Sequence, residues 1–317
     1  MSNFVNLHLH TEYSIMDSVI KIPQLFKKIE EYNQPAVAIT DHASLAGWND
    51  FQKAASDSSV KPIFGCEFYC KPTYDKPSDR SRYHLVVLAK NDNGLKKLRA
   101  LQRLTIKHRY YKLLLPYPAL FNNPDDLFIS TACSLGTVGQ SLDPTNKHYN
   151  PSNAEVFINK LFDTFGKNNV ACEFQFHPTY INNNIHVQNK INENLFKICE
   201  NVQPKYMIAT CDSHFLDSTD RHMRTQLKAD EWKKQVKDVE ESLKSNCVGN
   251  RNLIMDFAQE SNFPYMDEVP KMLDDTVKIA NNLNASVELN YGKVIPKFQK
   301  HRELKKIFMK GRKQVMK

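Results

Sequence analysis

The sequence contains no run of apolar residues long enough to cross a membrane, which takes about 20 residues in a helix. Its N-terminus also lacks the basic segment, apolar core and small-residue cleavage site of a signal peptide. Neither an internal repeat nor a low-complexity segment is present. Because charged residues (25%) and hydrophobic residues (41%) occur in proportions ordinary for a soluble globular protein, we expect a cytoplasmic protein with a large core.

A disulfide framework is absent as well. The chain has seven cysteines, an odd number, and none of them forms a Cys-x-x-Cys pair. Scattered cysteines of this kind fit a reducing compartment, in which most free thiols are small buried hydrophobic residues.

The net charge of +8 is concentrated at the C-terminus. Residues 293–317 contain ten Lys and Arg and one acidic residue, Glu303, whereas the other 292 residues carry 33 basic and 34 acidic side chains, a net charge of −1. A basic tail can follow the phosphates of a nucleic acid, and a solvated terminal helix would have the same composition. The sequence leaves both interpretations open.

Short apolar segments alternate with helical patterns as far as Cys211. Apolar residues recur at helical spacing in the intervening segments, for example at Ile22, Leu25 and Ile29. The predicted strands are Phe4–His8, Ala36–Thr40, Pro62–Tyr69, Tyr83–Ala89, Leu127–Thr131, Val170–Phe176 and Tyr206–Cys211. This alternation predicts an α/β fold of parallel strands with crossover helices, and a run of seven strands predicts a closed or nearly closed barrel.

The first predicted strand presents two histidines on one face. Side chains alternate along a strand, so His8 and His10 point one way while Leu7 and Leu9 point the other. Histidines two residues apart on a strand can place two nitrogen ligands on one metal ion. A single His-x-His pair also occurs by chance, so its meaning depends on what the other strands carry.

Every predicted strand brings at least one ligand-type side chain toward the same region. The residues are His8, His10, Asp17, Asp41, His42, Glu67, His84, Cys133, Glu173, Asp212 and His214. Taken singly, each has a structural explanation, such as a helix cap, a buried thiol or an ion pair with arginine. Together they place many charged groups among apolar strand ends, where charges are rarely buried unless paired or metal-bound. So many ligands predict a cluster of two or three ions, and imidazole, carboxylate and thiolate suit Zn²⁺, with Mn²⁺ or Fe²⁺ as alternatives.

The segments that carry these residues resemble a known set of motifs. In chain order they are HLHTEYSIMD, AITDHASLAG, KPIFGCEFY, YHLVVLAK, ISTACSLG, CEFQFHP and ATCDSHF. Their order and spacing are similar to those of the polymerase and histidinol phosphatase (PHP) domain, in the form found at the N-terminus of bacterial DNA polymerase III alpha subunits. The resemblance implies a distorted seven-stranded α/β barrel with a trinuclear metal site.

The resemblance also implies which residues bind the ions. The nine implied ligands are His8, His10, Asp17, His42, Glu67, His84, Cys133, Asp212 and His214. In the family arrangement, one ion is shared by His8, His10, Glu67 and Asp212, a second by Glu67, His84 and Cys133, and a third by Asp17, His42 and His214. Because all nine implied ligands are present, the resemblance favours a domain that has kept its hydrolytic activity. The chain departs from residues common in the family at Ser18 and at the pair Ala43 and Ser44. These differences affect the shape of the loops and leave the ligand residues unchanged.

The implied activity is metal-assisted hydrolysis of phosphoesters, with His8, His10, Glu67 and Asp212 as the catalytic residues. The polymerase-type form of the domain implies a 3′–5′ proofreading exonuclease that acts on the 3′ end of single-stranded DNA, with a polymerase-bearing chain or other replication subunits as partners. Two alternatives stay open: a small-molecule phosphatase of the histidinol phosphate type, and a non-catalytic module that binds replication partners. Since no Asp-x-Asp pair occurs, we expect no polymerase activity from this chain by itself.

Three segments are expected along the chain. Residues 1–218 form the metal-dependent barrel, residues 219–292 form a helical continuation packed on it, and residues 293–317 form a basic tail or a connector toward a polymerase palm. The strand pattern stops after Phe215, and helical patterns follow in residues 220–245 and 268–285.

Overall fold

The structure, a computed structural model, describes residues 4–74, 81–178, 181–182, 185–233, 235–236, 239 and 243–289. The described residues up to Val287 belong to one compact unit, and Glu288 and Leu289 belong to a second. The basic tail predicted at residues 293–317 lies outside the described residues. The division of the chain into three segments stays a prediction.

Strands and helices alternate along most of the described chain. The strands are β1 (Ala36–Ile39), β2 (Lys61–Lys71), β3 (Tyr83–Ala89), β4 (Leu114–Pro116), β5 (Leu127–Ser130), β6 (Val170–Gln175), β7 (Ile181–Asn182), β8 (Ile185–His186) and β9 (Tyr206–Thr210). The α-helices are α1 (Ile22–Glu31), α2 (Trp48–Ser56), α3 (Asp92–Lys107), α4 (Tyr117–Phe121), α5 (Thr137–Leu142), α6 (Pro151–Phe165), α7 (Val187–Val202), α8 (Ser218–Trp232), α9 (Arg251–Glu260) and α10 (Val269–Asn281).

The main sheet runs in the order β1-β2-β3-β5-β6-β9, with β4 paired to β2 outside this path. Residues 4–10 join its two ends, because Asn6 forms a bridge with Val37 of β1 and Leu9 forms a bridge with Ser213 just after β9. The N-terminal segment thus takes the seventh position of a distorted barrel. The predicted α/β barrel is confirmed, and within the described residues the segment 4–10 pairs through isolated bridges at Asn6 and Leu9.

One strand runs against the predicted direction. β3 is antiparallel to both β2 and β5, so the expectation of parallel strands throughout was wrong. The chain between Lys71 and Tyr83 is shorter than the dozen or more residues that a parallel crossover needs. The reversal brings the start of β3 beside the end of β2, where His84 is opposite Tyr69.

The C-terminal helices pack on the barrel near its first residues. The hydroxyl of Thr276 in α10 accepts a hydrogen bond from the backbone N–H of Val5 at 2.9 Å. Met272, Leu273 and Ile279 of the same helix are buried. These contacts agree with the predicted helical extension. Among the described residues, no helix combines the length and apolar character needed to span a membrane.

Candidate metal centre

The two N-terminal histidines lie side by side where residues 4–10 close the barrel. His8 and His10 are both buried, and their ring centroids are 5.2 Å apart. Leu7 and Leu9 are buried among apolar residues. The backbone N–H of His10 donates to the carbonyl of Ser213 at 2.8 Å, so the barrel closure also fixes the position of this imidazole.

Glu67, buried within β2, lies at the middle of the site. Its Oε1 atom lies 3.3 Å from Nε2 of His8 and 2.9 Å from Nδ1 of His84. Its Oε2 atom lies 2.7 Å from Nδ1 of His42 and 3.4 Å from Nε2 of His10. One carboxylate therefore faces four imidazoles, an arrangement that suits a ligand shared between metal ions.

Asp212 approaches the same histidines from the end of β9. Its Oδ1 atom lies 3.2 Å from Nε2 of His8 and 3.1 Å from Nε2 of His10. Nδ1 of His214 lies 3.7 Å from the same oxygen. Asp212 and Glu67 thus supply carboxylate oxygens on two sides of the His8 and His10 pair.

Asp17 forms a separate corner of the site. Its Oδ2 atom lies 3.1 Å from Nε2 of His42, and its Oδ1 atom lies 3.6 Å from Nε2 of His214. His10 joins this corner to the centre, because its ring centroid is 4.1 Å from that of His42 and 4.3 Å from that of His214.

Cys133 lies on the opposite side, beside the start of β3. Its sulfur is 3.4 Å from Nδ1 of His84 and 3.8 Å from Oε1 of Glu67. Burial, together with the charge of Glu67, holds the pKa of this thiol well above its usual range. The thiol would therefore lose its proton on binding a metal ion, since the thiolate is the ligand form.

Several ligands lie at sharp turns of the backbone. Four residues that are ligands or their direct neighbours have positive φ values: Met16 (64°), Ala43 (44°), Ala132 (61°) and Asp212 (48°). Non-glycine residues seldom adopt this left-handed region, and where they do, the surrounding structure holds them there. The turns aim the side chains that follow each strand back across the end of the barrel.

Seven of the nine predicted ligands fall into three groups, and Asp17 and Cys133 lie beside them, 3.1 Å from Nε2 of His42 and 3.4 Å from Nδ1 of His84. Within each group, the ligand atoms all lie within 4.8 Å of one another. The groups are His10, His42 and His214; His8, His10 and Asp212; and His42, Glu67 and His84. Six buried ligand atoms form no hydrogen bond within the described structure: His8 Nε2, His10 Nε2, His42 Nδ1, Glu67 Oε2, Asp212 Oδ1 and His214 Nε2. Some of these atoms lie at ion-pair distance from one another, as Nδ1 of His42 does from Oε2 of Glu67 at 2.7 Å, without the geometry of a hydrogen bond. Buried polar atoms normally form hydrogen bonds, so ligand atoms that face one another in this way fit metal ions.

The carboxylates and imidazoles strongly perturb each other. Burial would lower the pKa of His42, but the charges of Glu67 and Asp17 raise it to about 9. Burial would raise the pKa of Glu67, yet the neighbouring His84, His42 and His8 hold it well below its usual range. A metal ion bound here would replace protons on the imidazoles, so binding should release protons.

Two other histidines of the site have lowered pKa values. Burial and the neighbouring His42 lower the pKa of His10 to about 4. Burial and the cation of Arg224 hold the pKa of His214 well below its usual range. Both imidazoles are therefore neutral at pH 7, which is the form that binds metal ions.

A family profile described as the PHP domain matches residues 6–177. The chain belongs to the PHP domain family. The matched range contains seven of the nine predicted ligands, and Asp212 and His214 follow it in the chain.

Curated relatives of this PHP domain are DNA polymerase III alpha subunits. The subunit from Aquifex aeolicus is 36% identical over 250 residues, which make up 75% of this chain and 20% of that protein. The subunit from Borreliella burgdorferi is 27% identical over 312 residues, or 94% of this chain and 25% of that protein. The chain thus spans about a fifth to a quarter of the length of these relatives.

Solved structures give a weaker likeness. A Bifidobacterium adolescentis protein whose structure is named as that of a metal-dependent phosphoesterase has a TM-score of 0.39 at 13% identity, covering 66% of this chain and 87% of that chain. An amidohydrolase from Chromobacterium violaceum has a TM-score of 0.36 at the same identity and coverage. Similarity of this degree carries no conclusion about chemistry.

Four residues outside the PHP motif ligands support the site. Glu173 was named among the ligand-type residues, with an ion pair to arginine as the structural alternative, and its Oε1 lies 2.6 Å from Nδ1 of His8. Asp41 holds the loop before Asp17, because its Oδ1 accepts from the backbone N–H of Thr11 at 2.6 Å. Arg224 and Lys228 both contact Asp17. The contacts of Arg224 and Lys228 with Asp17 could not be predicted from the sequence, because both cations lie in a helical pattern that resembles a solvated face.

Proposed function

We propose that the PHP centre binds two or three divalent ions, Zn²⁺ or Mn²⁺, and hydrolyses phosphoesters. The observation that carries the proposal is the set of buried ligand atoms that face one another without forming hydrogen bonds. When bound, such ions lower the pKa of a coordinated water from 15.7 to about 7 and neutralise charge on the phosphate. The proposed ligands are the nine predicted residues: His8, His10, Asp17, His42, Glu67, His84, Cys133, Asp212 and His214.

The chain's own residues would orient and bind. Nδ1–H of His8 donates to Glu173, which leaves Nε2 of His8 to face Asp212 and Glu67. Glu67, which faces four imidazoles, would be a ligand that more than one ion could share. We assign the catalytic role to His8, His10, Glu67 and Asp212, whose ligand atoms face one another at the middle of the site.

We further propose that the substrate is the 3′ end of single-stranded DNA and that the activity is a 3′–5′ exonuclease suited to proofreading. Support comes from the curated relatives, which are alpha subunits of a DNA polymerase. In this proposal the protein acts in the cytoplasm with a polymerase-bearing chain or other replication subunits. Residues 1–218 would supply the hydrolytic barrel, residues 219–292 its helical support, and residues 293–317 the basic tail or connector.

A metal analysis combined with a DNA digestion tests the proposal. The purified protein, loaded with Zn²⁺ or Mn²⁺ and desalted, should contain at least two equivalents of metal. Single-stranded DNA labelled at its 5′ end should then shorten stepwise, whereas the same strand with a blocked 3′ end should resist. Less than one equivalent of metal, with no uptake on titration, would contradict the proposed metal centre. Metal uptake without DNA digestion would leave the centre but reject the exonuclease.

A further inference from the structure

Two cations from α8 reach the Asp17 corner of the site. Arg224 and Lys228 are one helical turn apart, so they lie on the same face of the helix. Nζ of Lys228 lies 2.8 Å from Oδ1 of Asp17, and Nη2 of Arg224 lies 3.3 Å from the same oxygen. Both cations are buried, with 5% of Arg224 and 6% of Lys228 exposed.

These cations are held by more than their attraction to one carboxylate. Nε of Arg224 donates to the backbone carbonyl of Asp17 at 3.1 Å. Nζ of Lys228 also pairs with Glu231 at 2.7 Å and lies 5.9 Å from the ring centroid of Trp232. Neither side chain can leave the corner without breaking contacts that do not involve the Asp17 carboxylate.

The charges of the site are distributed unevenly. At the Asp17 corner, two cations, Arg224 and Lys228, face one ligand carboxylate, Asp17, and Lys228 also pairs with Glu231, whose side chain is about half exposed. A divalent ion placed beside Asp17 would lie close to two fixed positive charges at a partly buried position, where repulsion between like charges is costly.

The other side of the site has the opposite character. The three carboxylates there, Glu67, Glu173 and Asp212, form ion pairs with imidazoles alone and with no lysine or arginine in the described parts of the chain. The two ligand groups on this side each contain a carboxylate, Asp212 in one and Glu67 in the other, whereas the group nearest Asp17 consists of three imidazoles.

We propose that Arg224 and Lys228 take the place of an ion beside Asp17, so that the centre binds two divalent ions and not three. The inference rests on the proposed function, since it presumes that the Glu67 and Asp212 side binds metal. Asp17, one of the nine proposed ligands, would then hold the two cations instead of an ion.

Counting bound ions tests the inference. The full chain is loaded with excess Mn²⁺ or Zn²⁺, desalted and analysed for metal per polypeptide. The variants are Arg224→Met/Lys228→Met, which frees the Asp17 carboxylate, and Asp17→Asn, which removes its charge. Lys190→Met is the matched control, because it removes a lysine from an exposed pair with Glu193.

The inference expects two ions in the wild type, two in Lys190→Met and three in Arg224→Met/Lys228→Met. Asp17→Asn should keep two, which decides the matter even if the double variant does not fold. Three ions in the wild type, two in the double variant, or one in Asp17→Asn would each overturn the inference while leaving the metal centre in place. A wild type that binds less than one ion would instead reject the proposed function.

Discussion

Nδ1 of His8 lies 2.6 Å from Oε1 of Glu173, and both side chains are buried. The carboxylate is itself held in place, since the hydroxyl of Thr210 donates to Oε1 at 2.6 Å and the hydroxyl of Ser130 donates to Oε2. Glu173 therefore fixes the ring orientation of His8 from behind. A buried carboxylate in this position also makes the imidazole a stronger ligand.

The first prediction concerns this pair. Glu173→Gln keeps the shape and an acceptor oxygen but removes the charge, so the affinity for metal should fall by about 10- to 100-fold. Competition with a chromophoric chelator measures the affinity. Glu193→Gln, at an exposed ion pair with Lys190, is the control and should behave as wild type. An unchanged affinity in Glu173→Gln would show that His8 does not need the carboxylate.

The second prediction concerns the ligands themselves. His8→Ala and Asp212→Ala should each abolish hydrolysis of DNA and of a small aryl phosphate, because each removes a ligand atom from the middle of the site. The fold should survive, since the core consists of apolar residues packed elsewhere in the barrel. Circular dichroism checks the fold and a colorimetric assay the activity. Full activity in either variant would show that the site has been assigned to the wrong residues.

The third prediction concerns pH and His177, which is not a proposed ligand. Burial lowers the pKa of His177 from its ordinary value of 6.5 to about 4. The unfolded chain therefore takes up a proton at a higher pH than the folded chain. The stability that depends on neutral His177 is fully present above about pH 6.5 and is lost as the pH falls toward 4.

A shift of this size corresponds to about 3 kcal/mol, from about 1.4 kcal/mol for each pKa unit. His177→Gln should remove this part of the pH dependence, because glutamine does not titrate and can still hydrogen-bond Ser245. Denaturant unfolding of both proteins between pH 7 and pH 4.5, with a chelator present throughout, gives the comparison. Curves that stay parallel over this range would contradict the prediction.

The fourth prediction concerns the basic tail, which lies outside the described residues. If residues 293–317 contact single-stranded DNA through three to five phosphates, log affinity should fall against log salt with a slope of about −2 to −3.5. Truncation after Gly292 should flatten this slope and leave hydrolysis of an aryl phosphate unchanged. An unchanged slope, with loss of binding to a polymerase partner, would support a docking helix in place of a DNA contact.

The positions of β1, β2, β3, β5, β6 and β9 could be predicted from sequence because each is a short apolar segment between helical patterns. The strands β4, β7 and β8 were not predicted, because two or three residues are too few to show a pattern. The direction of β3 could not be predicted, because the alternation of strands and helices gives their order along the chain and not the direction in which each strand runs. His84 shows the difference, because it comes before the apolar residues of its strand. This position lies beside the other predicted ligands only because β3 runs antiparallel to β2.

Ligand-type residues could be found from the sequence because histidine, cysteine and carboxylate at strand ends are a distinctive combination, and the resemblance to the PHP domain then selected nine of them. Arg224 and Lys228 were not accessible in this way. In a charged helix such as α8, a buried cation and a solvated cation have the same periodicity, and only the position of Asp17 against the helix separates them.

The bridge between Leu9 and Ser213 has a consequence for how the protein is made. The first ligands leave the ribosome roughly two hundred residues before Asp212 and His214, yet they can meet these partners only when the last barrel strand is complete. During synthesis, His8 and His10 therefore lack their contacts with Asp212 until the chain has been extended past β9. A nascent chain halted shortly before β9 should therefore contain most of the barrel's sequence but lack Asp212 and His214, which complete the candidate site.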